Sequence, residues 1–257
     1  YTRGMSLDET VNLTKAIVKF GNQLKLKKYP ILDKHCTGGV PGNRTTMVIV
    51  PIIAAAGLTI PKTSSRSITS PAGTADTMEV LAPVDLPLKK MKEVVQKTNA
   101  CIVWGGAVEL AAADDKLIRL RHPLSLDPEG MLLASILAKK AAVNATHVLI
   151  DIPVGKDTKI KTVKEAMHLK REFVKIGKKL GMEVHTIITD GTEPIGNGVG
   201  PVLEARDVLW LLKRDKRAPK DLEKKCIFMA TKMLQIAGIK LSLIHISEPT
   251  RPRLISY

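Results

Sequence analysis

Four stretches of this 257-residue chain combine the residue types that grip an anion and move a proton. The first is Asp33-Lys34-His35-Cys36-Thr37-Gly38-Gly39-Val40-Pro41-Gly42-Asn43. Its glycines remove the Cβ atoms that would hold an anion away from backbone N–H groups, and a helix N-terminus behind them adds positive dipole. Lys34 and His35 supply charge or donors beside that nest, and Thr37 a hydroxyl. No Gly-Lys-Ser/Thr stands at Walker spacing, and a glycine-rich structural turn is the plain alternative. The second stretch, Lys62-Thr63-Ser64-Ser65-Arg66-Ser67-Ile68-Thr69-Ser70 with Thr74 beyond it, offers hydroxyls, a lysine and an arginine without an acidic competitor. In the third, Arg121 to Glu129 leads into a helix on which Ser135 and Lys139, four residues apart, share a face. Asp127 stands at that helix's N-terminal end, where an ordinary N-cap carboxylate is the plain reading. The fourth, Asp151 to Lys159, leaves a strand through a basic loop that would fold over a bound phosphate.

These stretches need a scaffold that brings strand ends together. Ser6-Leu7-Asp8-Glu9 reads as a capping box, followed by an apolar stripe of Leu7, Val11, Ile17, Val18 and Leu24. A short strand is expected at Pro30 to Asp33, with a loop from Lys34 to Asn43 and an apolar helix from Arg44 to Ala56 stopped by Gly57. The next strand is expected over Thr59 to Lys62 and its loop over Thr63 to Ser70, with a helix beginning behind Ser70-Pro71. An amphipathic helix from Leu88 to Thr98 leads to a strand at Cys101 to Val103. The strand His147 to Ile152, the helix Thr162 to Leu180 and the strand Val184 to Thr189 make a β-α-β unit. Strands alternating with helices of this length imply an α/β fold with a largely parallel sheet, whose ligands gather at the carboxyl ends of the strands.

Composition narrows the field. Hydrophobic residues make up 44% and charged residues 25%, which excludes a disordered or collagen-like chain. No apolar run reaches the length of a membrane span, and no apolar segment of a signal peptide follows Tyr1 to Met5. Cys36, Cys101 and Cys226 are too scattered for a disulfide framework or a zinc site, so a reducing cytoplasm is expected. The outlier is charge: 40 Lys and Arg against 25 Asp and Glu, a formal net charge of +15. The basic runs Lys156 to Lys179 and Lys213 to Lys225 both fall on helical patterns, and aromatics are only 3% of the chain. Single-strand nucleic-acid binders need stacking rings beside their basic groups, so a phosphorylated small molecule is the expected anion rather than nucleic acid. The isolated histidines 147, 168, 185 and 245 have no metal-ligand spacing. The tail 241–257 breaks the helical pattern with two close prolines and reads as a non-native extension.

Lys34 to Gly39, Lys62 to Ser70, Ala72-Gly73-Thr74, Asp127-Pro128-Glu129-Gly130, Ser135 to Lys140 and Asp151 to Gly155 together resemble the thymidine phosphorylase / AMP phosphorylase family. Val40 to Thr46 and Ser64-Ser65-Arg66 are similar to its AMP phosphorylase branch, and the likeness runs from Tyr1 to about Lys240. The resemblance implies a nucleoside phosphorylase/phosphoribosyltransferase-like fold, a small all-helical lobe plus a larger α/β lobe with a largely parallel sheet. The helical lobe would be 1–29 and 112–142, and the α/β lobe 30–104 and 146–240. Members are longer at both ends, so a truncated chain is expected, lacking the C-terminal part of its large lobe. Members are also dimers or larger assemblies, so a homo-oligomer is expected.

Residue by residue, Gly39, Ser65, Arg66, Ser67, Ile68, Thr69, Ser70, Thr74, Ser135 and Lys159 correspond to nucleotide contacts of the AMP branch, and Asp127 to its proton donor. Lys34, Cys36, Thr46, Ser65 and Thr74 match phosphate-holding positions of thymidine phosphorylases, with Cys36 where those enzymes have serine. His35 matches their catalytic histidine, and Ser135 and Lys139 their base contacts. One departure bears on base recognition: the AMP branch usually has arginine directly before Pro123, and here His122 stands there, with Arg121 one place earlier. The implied activity is phosphorolysis of AMP to adenine and ribose 1,5-bisphosphate, with thymidine or another pyrimidine nucleoside as the alternative substrate. No metal or cofactor is expected. An anthranilate-type phosphoribosyltransferase shares the architecture but would call for acidic metal-holding residues beside the glycine loop, which this stretch lacks. A fragment that only binds nucleotides is the non-enzymatic alternative.

Overall fold

The computed structural model describes residues 3–67, 72–110, 112–121, 123 and 128–239, with the side chains at 112, 115, 118, 119 and 121 left aside. Ile68, Thr69, Ser70 and Asp127, the His122 position and the tail 241–257 therefore lie outside the described residues.

The scaffold is α/β, and every paired strand is parallel. β1 (Leu32–Cys36) pairs with β4 (His147–Val154), and β4 with β5 (Glu183–Asp190). β2 (Ile60–Ser64) pairs with β3 (Ala100–Trp104) in a second, two-stranded ladder. The two ladders meet through one bridge, Ile31 to Thr59, where the Leu32 N–H donates to the Thr59 carbonyl at 2.8 Å. Past that bridge no ladder joins β1 to β2 among the described residues. Because all five strands run the same way, the segments following Cys36, Ser64, Val154 and Asp190 emerge on one edge of the sheet.

Helices cover both faces. α2 (Thr45–Ala55) is apolar on nearly all sides because it lies inside: Ile49, Val50 and Ile53 pack with Leu32, Leu149 and Ile60 beneath and Met229 and Met233 above. A helix mostly enclosed by sheet and helix has little wet face to keep polar, and in α2 only Pro51 and Ala55 are exposed. The helices above it are α8 (Pro201–Leu212) and α9 (Lys220–Ile236). On the opposite face, α1 (Leu7–Lys19), α6 (Glu129–Ala142) and α7 (Val163–Lys179) share one core with the sheet, in which Val11, Leu133, Leu137 and Phe173 meet Val148, Ile150 and Ile152. α5 (Ala112–Arg121) adds Leu117 against Ile17, Ala134 and Ala138. α3 (Thr74–Glu79) and α4 (Leu88–Thr98) both lie in the connection from β2 to β3.

Local signals act where they stand. The Ser6–Glu9 and Thr162–Glu165 capping boxes both form, and Gly181 ends α7 at φ +77°. Four expectations shift. β1 continues three residues past the predicted end at Asp33, because Lys34, His35 and Cys36 pair with Leu149, Ile150 and Asp151 of β4; their polarity read as a loop, but partners satisfy them inside the sheet. β2 likewise carries Thr63 and Ser64. Leu24 is buried but lies beyond α1 rather than on its stripe. The basic runs are not wholly helical: 156–162 forms the link after β4, and 213–219 the turn between α8 and α9.

Candidate functional site

Strand alternation divides the first candidate stretch between the two faces of β1. Lys34 and Cys36 face α2 and α9. The Lys34 ammonium, 2% exposed, donates to the Thr45 hydroxyl at 2.6 Å. The Cys36 sulfur accepts from the Asn43 amide at 3.3 Å, and burial together with the Asp151 carboxylate pushes its thiol up to about 11. Beside them Lys225 pairs with Asp151 at 3.1 Å, and the Thr189 hydroxyl donates to the same carboxylate at 2.6 Å. Thr46 is buried one residue beyond the Lys34 partner, in the first turn of α2.

Asp33 and His35 lie toward α6. The Asp33 carboxylate accepts from the Lys140 ammonium at 2.8 Å and the Lys34 backbone N–H at 2.7 Å, with the Lys62 ammonium 3.9 Å away. Asp33 and Lys140 are 0% exposed and Lys62 4%. Lys62 also donates to the Thr63 carbonyl, and burial, with Lys140 nearby, holds its amine well below the usual range. Further along α6, Ser135 and Lys139 share a face as their spacing predicts: Lys139 donates to Ser135 at 3.2 Å, and both bind Asp114 of α5, Lys139 at 2.6 Å and Ser135 at 2.8 Å. Half-buried His35 sits among these cations. Burial first, then Lys140, Lys62, Lys139 and Lys34, keeps its imidazole well below the ordinary histidine value, and hence neutral.

The glycine nest forms where the loop after β4 closes on it. Gly38 and Gly39 take φ of +102° and +93°, and a Cβ on Gly39 would lie 2.6 Å from Thr158 Cα and 3.1 Å from the Lys159 nitrogen. Gly39 and Lys159 are thus brought together by backbone contact, as the fourth stretch suggests. The buried Thr37 hydroxyl and Asn43 carbonyl oxygen have no hydrogen-bond partner among the described residues. Buried polar atoms are nearly always satisfied, and an ordered water or a polar ligand at the nest would satisfy these two.

The second stretch approaches through its neck. Gly73 lies so close to the other strand of the neck that a Cβ there would sit 2.5 Å from the Ser65 carbonyl oxygen. The Asp76 carboxylate accepts from the Ser67 and Gly73 N–H groups at 2.7 and 2.8 Å. Arg66 turns to carboxylates, reaching Asp76 at 3.1 Å and Glu79 at 2.6 Å, with its guanidinium 4.9 Å over the Trp104 ring. Arg44, directly after the first stretch and before α2, ties the two together: it donates to the Ala72 carbonyl, to the Thr74 hydroxyl at 3.3 Å and to Glu204 of α8.

Sequence patterning singled out Lys62 as the lysine of the second stretch but gave no role of their own to Asp33 and Lys140, and it did not mark Arg44, Glu204 or Lys225 as site residues, because nothing in local spacing tells a buried charge from a solvated one. The available signal was that Asp33, Lys62 and Lys140 stand inside or beside the motifs that carry the family resemblance. Among the described residues, His168 pairs with Glu129, and His147 and His185 pair with Glu183. Among the described residues no group of three or more His, Cys, Asp or Glu side chains converges as metal ligands do, and no helix is long and apolar enough to cross a membrane.

Residues 28–238 match the family model described as "Glycosyl transferase family, a/b domain". The chain is 54% identical over 234 residues to "Putative thymidine phosphorylase 1" of Acidovorax sp. (strain JS42), covering 91% of this chain and 46% of that protein. It is 54% identical over 230 residues to "Putative thymidine phosphorylase" of Legionella pneumophila (strain Corby), covering 90% and 44%. It therefore spans a little under half the length of these curated relatives. Among solved structures, anthranilate phosphoribosyltransferase from Thermus thermophilus superposes with a TM-score of 0.76 at 18% identity, over 95% of this chain and 79% of that one. The Saccharomyces cerevisiae enzyme in complex with PRPP and Mg gives 0.66 at 14% identity, over 91% and 71%. At such identities the likeness is one of fold.

Proposed function

Since the chain belongs to the glycosyl transferase family through its a/b domain, we propose that it carries the phosphate cradle and part of the sugar and base site of a pentosyltransferase that splits a nucleoside 5′-monophosphate with phosphate. One observation supports this most. Three lysines are buried, Lys34 within β1, Lys62 within β2 and Lys140 on α6, with Asp33 2.8 Å from Lys140 and 3.9 Å from Lys62, and β1 runs directly into the buried, unpartnered Thr37 hydroxyl and the glycine nest. Buried charge without compensation is costly, and a phosphate at the strand tips would offset it.

In this reading Lys34, Cys36, Thr46, Ser65 and Thr74 hold the attacking phosphate. Gly39, Ser65 to Ser70, Thr74, Ser135 and Lys159 hold the nucleotide, and Ser135 and Lys139 face the base. A phosphate oxygen forms a bond to the sugar C1′ as the C1′–N bond breaks, through a transition state of oxocarbenium character. The leaving base takes a proton from an acid. Asp127 or His35 is the candidate donor: an Asp serves as acid near neutral pH when burial raises its pKa, and His35, held neutral among lysines, serves as a hydrogen-bonding partner of the base unless substrate binding protonates it. Catalysis then rests on orientation and on charge already in place, without a metal. The proposal extends to the helical lobe of 1–29 and 112–142, a homo-oligomer and a cytoplasmic setting.

AMP is the first substrate, giving adenine and ribose 1,5-bisphosphate; thymidine is the second, and the names of the relatives favour it. The test measures phosphate-dependent release of free base from AMP, adenosine, thymidine, uridine and cytidine, with this chain and with a full-length relative. Lys159→Ala and Arg66→Ala are expected to damage AMP turnover far more than adenosine turnover. Equal losses reject the nucleotide assignment, and no base release from any substrate by the full-length protein rejects phosphorolysis.

A further inference from the structure

Lys140 is the most deeply placed cation of the site, yet neither the motif spacing nor the resemblance gives it a role. It follows Lys139 on α6 but points the other way, into the sheet, where its ammonium lies 2.8 Å from the Asp33 carboxylate and 3.5 Å from the Lys34 carbonyl oxygen. The second Asp33 oxygen takes the Lys34 N–H at 2.7 Å. Carboxylate and ammonium thus bracket the backbone of Asp33-Lys34-His35 from the side of the helix that carries Ser135 and Lys139. Both groups are 0% exposed, so neither can touch a substrate.

We propose that Lys140 and Asp33 form the positioning pair of this site, fixing the Lys34–His35 segment of β1 against α6 and setting the charge surroundings of His35. The cations whose charge acts on His35 are Lys62 on β2 and Lys139 and Lys140 on α6, together with Lys34, which stands next to it in β1 but on the other face. The carboxylates bound to these lysines are Asp33 on β1 and Asp114 on α5. The pair therefore controls one of the four cations around the imidazole and the carboxylate that offsets it. Phosphorolysis enters only in naming what Lys34 and His35 serve; the bracket stands without it.

The experiment follows the His35 ring by NMR through a pH titration in the full chain, with phosphate affinity measured alongside by calorimetry. In Lys140→Met, loss of the neighbouring positive charge moves the His35 midpoint up, toward the ordinary histidine value. In Asp33→Asn, loss of the counter-charge moves it down. A slackened structure would not produce opposite signs. Phosphate affinity falls roughly tenfold or more in each, as expected for losing a charge-assisted hydrogen bond. A midpoint that stays in place in Lys140→Met, or moves the same way in both variants, overturns the proposal. If the unaltered chain binds no phosphate, the phosphorolysis reading fails and the midpoints alone decide this one. Should a single variant not fold, Asp33→Asn/Lys140→Met, free of both charges, is read by hydrogen exchange: faster exchange in β1 relative to the β4–β5 ladder supports the pair, and unchanged exchange overturns it.

Discussion

At the scale of the residue, the site shows what burial does to titrating groups. Cys36 is pushed up to about 11, and Cys101 and Cys226 to about 12, in each case first by burial. A thiol raised this far holds almost no thiolate at neutral pH, and the thiolate is the nucleophile. Alkylation of the native protein by iodoacetamide at pH 8 is therefore expected to be far slower than that of the urea-unfolded chain; equal rates would contradict the buried environment of all three. The same shifts fix a stability trend. A thiol whose folded value lies above its unfolded one favours the native state fully below the unfolded value, and that advantage is lost as pH rises through the folded value. Unfolding midpoints should thus drop between about pH 9 and 12, and Cys36→Ser should remove part of the drop.

At the scale of the element, the glycines separate two kinds of constraint. Gly39 combines φ +93° with a Cβ position 2.6 Å from Thr158 Cα, whereas Gly57 has φ +80° with nothing within 4 Å. Gly57→Ala should cost only the left-handed backbone penalty, about 1–2 kcal/mol by urea denaturation. Gly39→Ala adds a collision between two loops, so it should cost more and also weaken phosphate binding; a loss no greater than that of Gly57→Ala would mean the loops yield freely. Gly57 was legible as a helix stop, because the apolar run of α2 simply ends there. The close approach at Gly39 was not, since its partner lies more than a hundred residues away. The capping boxes of α1 and α7 were legible for the same reason as Gly57: donor and acceptor are three residues apart. β1 was cut short because alternation and polarity describe a strand with one wet face, whereas this strand lies between α2 and α6 with charges on both sides.

At the scale of the whole molecule, long-range ion pairs hold the loops in register. Arg44 and Glu204, separated by most of the chain, are 6% and 1% exposed; Glu204 also accepts from Thr77 at 3.3 Å and from the Gly200 N–H at 3.1 Å. Removing one partner of such a pair strands the other charge inside. Glu204→Gln is expected to lower stability by about 3–5 kcal/mol in chemical denaturation, and the volume-matched Arg44→Met/Glu204→Leu double variant by less. A double variant as unstable as the sum of its single changes would deny the coupling.

The sequence alone determined the class of fold, most element positions and the identity of the anion-gripping stretches, because those properties rest on neighbours within a few residues: period, caps, glycines and the motif wording of a family. Only the tertiary structure decided that Lys34 and His35 belong to opposite faces, that Arg66 is turned to Asp76 and Glu79, and that Lys62 and Lys140 are buried around Asp33. The physical reason is that a charge acquires its protonation, its partner and its cost from whatever the fold places around it, and in this molecule those surroundings come from strands and helices far apart in the chain.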